Sequence, residues 1–341
     1  MRERARAGRV FATIAAWLAL ALLGGALPGC ALRGGALGEL DELGERETLP
    51  PFWTVESREG ASLALLGSLH LGPPEGWLFP PAVEHAFEAS SALVVELDPE
   101  ELAGTQLQLL IARYGMLPPG ASLEQRISPE TWAFVVAHAE RAGLPLDAVG
   151  RMQPWLIANL FVTDAMRRLG YTARGGVDVG FVARTGERSV VPLESAEYQL
   201  ALLAGLPNEL QELVLLDSVG RFEEVDDYLR ELVARWRVGD LPALEQLFFE
   251  DAQSDELHRA FVELVILRRN REMAERLRVL LDAAQHRGEQ VFVVVGAGHL
   301  VGPRGIPAIL EGWGYSVRRF GRVELQAGRG AAAGGGLAGR P

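Results

Sequence analysis

Two apolar runs, far apart in the chain, end in the same short phrase. Residues 63–73, LALLGSLHLGP, and residues 291–303, VFVVVGAGHLVGP, each carry an unbroken hydrophobic stretch, then Gly-x-x-His, Leu and a Gly-Pro pair. A continuous apolar run, unlike an alternating one, predicts a short strand buried on both faces. SALVVELDP (91–99) predicts a second buried strand, RSVVPLES (188–195) another short strand, and YSVRRF (315–320) a last one. Between the first two lies PAVEHAFEAS (81–90), with Val83, Ala86 and Phe87 at helical spacing just after a Pro pair. This β-α-β opening implies a parallel sheet with a right-handed crossover. Residues 101–170 and 207–287 read as helical, broken at LPPG and GLPLD, with AEYQLALLAGL (196–206) and GIPAILEGWG (305–314) as further helices. The expected fold is α/β: a central, mostly parallel sheet built from both chain ends, with a large helical insertion.

The ends of the chain read differently. Residues 1–29 join a basic start, MRERARAGRV, to the apolar FATIAAWLALALLGGAL, and LPGC follows. That is the layout of a bacterial lipoprotein signal peptide, with Cys30 as the lipidated residue. Cys30 is the single cysteine, so no disulfide framework is possible. Residues 30–50 are Gly-rich and polar and read as a flexible tether, and 326–341 as a disordered tail. The folded domain is thereby placed at 51–325. Of the formal net charge of −12, residues 1–29 contribute +3, leaving −15 for the rest. A strongly acidic domain argues against nucleic acid as a partner. It leaves the membrane to an N-terminal lipid anchor, which places the protein in the bacterial cell envelope, facing periplasm or exterior.

Candidate chemistry gathers at strand ends. In a parallel sheet, ligands bind where strands hand over to loops at their carboxyl ends. Both Gly-x-x-His phrases fall there, with Gly67 and Gly296 read as freeing the backbone to turn. If the two strands are neighbours, His70 and His299 can reach one point, and imidazole is both a metal ligand and a base near neutral pH. Glu96 closes the apolar run of its strand, where a carboxylate needs a partner. Glu194 repeats that arrangement. Asp98 shares the face of Glu96 by period two. In LRRNREMAERL (267–277), Arg269 and Asn270 sit beside an apolar helix side and could clamp a carboxylate or an oxyanion. His85, His138, His258 and His286 fall in polar helical stretches and read as solvated, and Trp155 reads as core. There is no dinucleotide fingerprint, no Walker pattern and no Gly-x-Ser-x-Gly elbow.

The segments LLGSLHLG, LVVELD, QPWLIANL, GVDVGFVARTGERSVVPLESAEYQL, LRRNREMAERL and VFVVVGAGHLVGPRGIPAILEGWGYSVRR, in this order, resemble the TraB/GumN family. That family includes the Tiki proteases and is distantly similar to erythromycin esterase and ChaN-like proteins. The resemblance covers about residues 52–322. It implies an α/β fold with paired His phrases and a Glu at the active centre, carried here by His70, Glu96, Arg269, Asn270 and His299, with Glu194 beside them. It also implies a hydrolase, peptidase-like by analogy with the Tiki members. A divalent metal ion of unspecified identity would be held by His70, Glu96 and His299, and the substrate would be a peptide or small molecule. Two other readings stay open: a ligand-binding or accessory lipoprotein without turnover, and a metal-independent, esterase-like hydrolase.

Overall fold

A computed structural model describes residues 43–98, 101–102, 104–219, 222–285 and 289–326. The segment read as a signal peptide, Cys30 and all but the first residue of the expected tail lie outside the described residues. No described helix is long and apolar enough to cross a membrane.

Six strands form one sheet: β1 (Phe52–Glu56), β2 (Ser62–Ser68), β3 (Ala92–Leu97), β4 (Ser189–Glu194), β5 (Gln290–Gly296) and β6 (Ser316–Arg319). Their order is β4-β3-β5-β2-β1-β6, so the strand from the far end of the chain is inserted between β2 and β3. β5 runs parallel to both, and β3 parallel to β4, whereas β1 pairs antiparallel with β2 and β6. The expected sheet, mostly parallel and drawn from both ends of the chain, is the observed one.

The helix α1 (Pro81–Ala89) links β2 to β3. Between β3 and β4 lie α2 (Gly104–Tyr114), α3 (Pro129–Ala142), α4 (Leu146–Val149), α5 (Pro154–Arg168) and α6 (Val177–Val182). Between β4 and β5 lie α7 (Ala196–Ala204), α8 (Asn208–Val219), α9 (Phe222–Arg237), α10 (Leu241–Ser254), α11 (Glu256–Val262) and α12 (Arg268–Gln285). The helix α13 (Ile306–Gly312) precedes β6, and α14 (Arg322–Gln326) follows it.

Burial on both faces explains the unbroken apolar strands. Ala64, Leu66, Leu93, Val95, Phe292 and Val294 face a core shared with Val83 and Phe87 of α1, Phe181 of α6 and Trp236 of α9. Leu63, Leu65, Val94, Val291, Val293 and Val295 face the other way, against Met273, Leu277 and Leu281 of α12 and Ile306 and Leu310 of α13. The inserted helices bury a core of their own around Trp155, Ile157, Val214 and Phe261. Each fully buried Val, Leu or Phe side chain contributes about 1.5–3 kcal/mol.

The tether reading of residues 30–50 needs correction at its end. Thr48 and Leu49 are buried and Leu43 nearly so, and the backbone N–H groups of Thr48 and Leu49 donate to Leu78 O and Arg237 O. Two leucines in this Gly-rich stretch find apolar surface, so the packed chain begins by residue 43. The reading of His138 and His258 as solvated is also corrected, since both are buried, while His85 is exposed and His286 lies outside the described residues. His138 packs against Phe161 of α5.

A second chain segment is strapped onto the first His phrase. Gly72 and Thr172 exchange backbone hydrogen bonds of 3.0 and 2.7 Å, and Val177 N donates to Leu69 O at 3.0 Å. The approach is so close that a Cβ on Gly175 would stand 1.9 Å from Pro73 O, and one on Gly176 2.4 Å from His70 O. Only glycine fits at either place. Gly176→Ala should therefore cost about 1–3 kcal/mol or more, read as a fall in the urea midpoint at unchanged slope; an unchanged midpoint would show that the strap yields freely.

His258 lies amid three carboxylates. Nδ1 contacts Asp255 Oδ1 at 2.8 Å, and Nε2 is 3.6 Å from Asp217 Oδ2 and 3.8 Å from Asp251 Oδ2. Asp217 is fully buried with its carboxylate facing the His258 ring. Burial alone would lower the imidazole, but Asp217, Asp255 and Asp251 raise it to about 9. Burial likewise pushes the Asp217 carboxyl well up, against the pull of His258. The folded cluster thus holds protons that the unfolded chain has released. The part carried by His258 is full below the unfolded imidazole value of about 6.5 and is lost as pH rises through about 9. Melting temperature should fall more steeply between about pH 7 and pH 10 in the wild type than in Asp217→Asn; parallel profiles would contradict the coupling.

Candidate active site

β2 and β5 are neighbours, with Ser68 opposite Gly296, so both His phrases leave the same edge of the sheet. The glycine freedom expected at these turns is not spent on a left-handed backbone. Gly296 has φ −49°, and neither Gly67 nor Gly298 has a positive φ. Gly67 is there for space: a Cβ on it would stand 3.2 Å from Ala297 Cα and from Pro51 Cβ. A single 3-10 turn, Ala297–His299, then carries His299 inward, where it is fully buried.

Glu96, near the end of β3, is the centre of the site. Oε1 accepts from Arg269 Nη2 at 2.6 Å and Gln199 Nε2 at 2.9 Å, and Oε2 accepts from the Gly296 backbone N–H at 3.1 Å. His70 Nε2 lies 3.9 Å from Oε2, and His299 Nε2 3.8 Å from Oε1. Two imidazoles and a carboxylate therefore converge, as the strand-end reading expected. Burial would raise the Glu96 carboxyl, but Arg269, then His299 and His70, hold it far below the ordinary carboxylate range.

Glu194 and Arg269 complete a buried ion network. Arg269 donates from Nε to both Glu194 oxygens at 3.0 and 3.1 Å, from Nη2 to Glu194 Oε2 at 2.6 Å, and from Nη1 to Val265 O at 3.2 Å. Gln199 Nε2 also donates to Glu194, at 2.7 Å. Burial opposes the guanidinium charge, and the Glu194 and Glu96 carboxylates outweigh it, so Arg269 holds its proton even more firmly than a free arginine. Just ahead of Arg269, Glu263–Leu267 form a π-helical turn, a device often found at functional sites. One expectation changes here. Arg269 does clamp carboxylates, but they are the protein's own, with Nε and Nη2 given to Glu194 and Glu96.

Asn270 serves His299. Its Nδ2 donates to Arg304 O at 2.9 Å, which leaves Oδ1 facing His299 Nδ1 in a short hydrogen bond. An amide oxygen only accepts, so Nδ1 carries the proton and Nε2 presents its lone pair. Burial, with Arg269 and His70 adding to it, pushes His299 down to about 3 despite Glu96, so the ring is neutral.

Three residues of the site gave no earlier signal. Asp178, at the start of α6, places Oδ2 2.7 Å from His70 Nδ1. Ser68 Oγ donates to Asp178 Oδ1 at 3.2 Å. Gln199 on α7 spans Glu96 and Glu194. Asp178 follows a Gly-Gly pair, a cue to close backbone approach, but an acid in the first turn of a helix looks like ordinary dipole pairing. Asp98 is half-buried.

The donor chemistry suits a divalent cation. His70 Nε2 is buried without a hydrogen-bond partner and faces a carboxylate, and both rings have Nδ1 tied to a second group, the arrangement that orients metal-binding imidazoles. The spacing is slack, since donors around one tetrahedral ion stand about 3.4 Å apart. Among the described residues, no group of three His, Cys, Asp or Glu stands at metal-holding distances as placed.

A profile of the TraB/PrgY/gumN family matches residues 51–319, which spans all six strands and every site residue named above. The uncharacterized protein YbaP of Escherichia coli (strain K12) is 26% identical over 249 residues, covering 72% of this chain and 87% of that protein. YbaP of Shigella flexneri matches to the same extent. No solved structure matches. With the profile covering well over half of the sequence, the chain belongs to the TraB/PrgY/gumN family.

Proposed function

We propose that this protein is a cation-assisted hydrolase of the bacterial envelope, tethered by lipid at Cys30 and acting on peptide bonds. The observation that carries this reading is the convergence of His70 and His299 on Glu96, each ring with Nδ1 already engaged. Charge supports it. Glu96 and Glu194 share one guanidinium, the mostly buried Asp178 faces His70, and buried negative charge of this kind calls for a cation. His70, His299 and Glu96 would hold a divalent ion, which would polarise the scissile carbonyl and acidify a bound water.

The protein's own groups divide the remaining work. Glu96 is kept ionised by Arg269, which suits a ligand or fixed charge better than a base. His299, neutral and rigid, offers a lone pair at Nε2. His70 has a carboxylate behind it. Burial would lower this ring, but Asp178 outweighs burial and raises it, which makes its Nε2 lone pair the more basic of the two imidazole donors. The preference for peptides rests on the resemblance to the Tiki proteases.

A metal-free hydrolase, in which His70 activates water directly, is the second reading. It is favoured by the three donors that already occupy Glu96: Arg269, Gln199 and the Gly296 N–H.

Metal analysis and hydrolysis of peptide and ester libraries by the purified lipid-free chain decide between them. The proposed function expects close to one divalent ion per chain, lost in His70→Ala and His299→Ala. It expects peptide hydrolysis that falls by about 10²-fold or more in Glu96→Gln and stops on chelation. Ester hydrolysis that survives chelation would establish the second reading. Neither metal nor turnover would reject both.

A further inference from the structure

The two His phrases are alike in sequence, but the groups behind the two rings differ. His299 Nδ1 meets a neutral amide, Asn270, from the adjoining helix, whereas His70 Nδ1 meets a carboxylate, Asp178, from a distant segment. That segment is built for the meeting. Thr172 and Val177 bond to the backbone on either side of His70, and Gly175 and Gly176 permit contact that no side chain would allow. Ser68, three residues before Leu71 and on the same turn as His70, holds the other Asp178 oxygen. The effort falls on one atom: His70 Nε2, buried, without a hydrogen-bond partner, and 3.9 Å from Glu96.

We infer that Asp178, steadied by Ser68, is the positioning residue of His70: it holds the ring as the Nδ1–H tautomer and turns a bare Nε2 toward Glu96. The inference rests on the reading of His70 as a working member of the site. A free imidazole has no strong reason to keep its proton on Nδ1, and an acceptor at that nitrogen supplies one. Ionised carboxylate is acceptor-only, so Asp178 cannot hold the opposite tautomer. An Asn at 178 could do for His70 what Asn270 does for His299, whereas an aliphatic side chain could not.

The chain has six histidines, few enough to follow each ring by isotope-labelled imidazole NMR. Spectra followed up to about pH 10, above the point where even His258 releases its proton, read the tautomers of the uncharged rings. The wild type should show His70 as Nδ1–H, and Asp178→Asn should preserve it. Asp178→Ala and Asp178→Leu should each shift the ratio toward Nε2–H by about tenfold or more, with His299 unchanged as internal control. Reading both aliphatic variants guards against one failing to fold. A merely structural role would lower the melting temperature while leaving the tautomer ratio in place, and that outcome overturns the inference, as does a wild-type His70 already in the Nε2–H form. Calorimetric titration with zinc alone separates this from the proposed function. Weakening by about 10–100-fold in the aliphatic variants supports both. A wild type that binds no zinc, with a tautomer ratio still set by residue 178, sinks the metal reading and upholds Asp178.

Discussion

One guanidinium holds this site together. Arg269 lies between Glu96 and Glu194, on two different strands, and bonds to both while its third nitrogen is anchored on Val265 O. Without it, two carboxylates would be buried side by side with only Gln199 as a shared donor. Removing one partner from such a buried pair costs about 3–5 kcal/mol, because the survivor is left charged and desolvated. The network is thus less a source of net stability than a constraint on the conformations available to β3, β4 and α12. It fixes the Glu96 carboxylate in position and in charge, and the two imidazoles are arranged around that fixed point.

The surrounding fold supplies positions, and the second groups supply chemical character. Inserting β5 between β2 and β3 brings the twin His phrases onto one edge and Glu96 beside them. Asn270 and Asp178 then make the rings unequal: one neutral and fully enclosed, the other backed by charge and slightly open to solvent. Acid acts against this arrangement from two sides. Glu96, held far below its ordinary value, stabilises the fold above about pH 4.5 and loses that as pH falls further, and His299, buried neutral, resists the protonation that the unfolded chain accepts below about pH 6.5.

Much of this could be read along the chain, and the reasons for the rest are physical. Unbroken apolar runs exposed β2, β3 and β5, since strands covered on both faces need no polar alternation. The strand β1 was missed because Phe52–Glu56 mixes buried and exposed positions beside an edge strand, β6. Matched Gly-x-x-His phrases and the strand-end Glu96 pointed to the site, because carboxylates at the close of apolar strands need partners. Asp178 and Gln199 stayed hidden, as their meaning lies in a contact made across more than a hundred residues. The roles of Arg269 and Asn270 were half visible: their place beside an apolar helix face suggested they turn inward, but not that they clamp Glu96, Glu194 and His299 rather than a ligand.

The most direct test of the central claim is a double-mutant cycle on Arg269 and Glu194, with unfolding free energies from urea titration of the wild type, Arg269→Met, Glu194→Gln and the double variant. A guanidinium that organises the buried acids should give a coupling of about 2 kcal/mol or more between the two positions. Single effects that simply add, within about 0.5 kcal/mol, would contradict it.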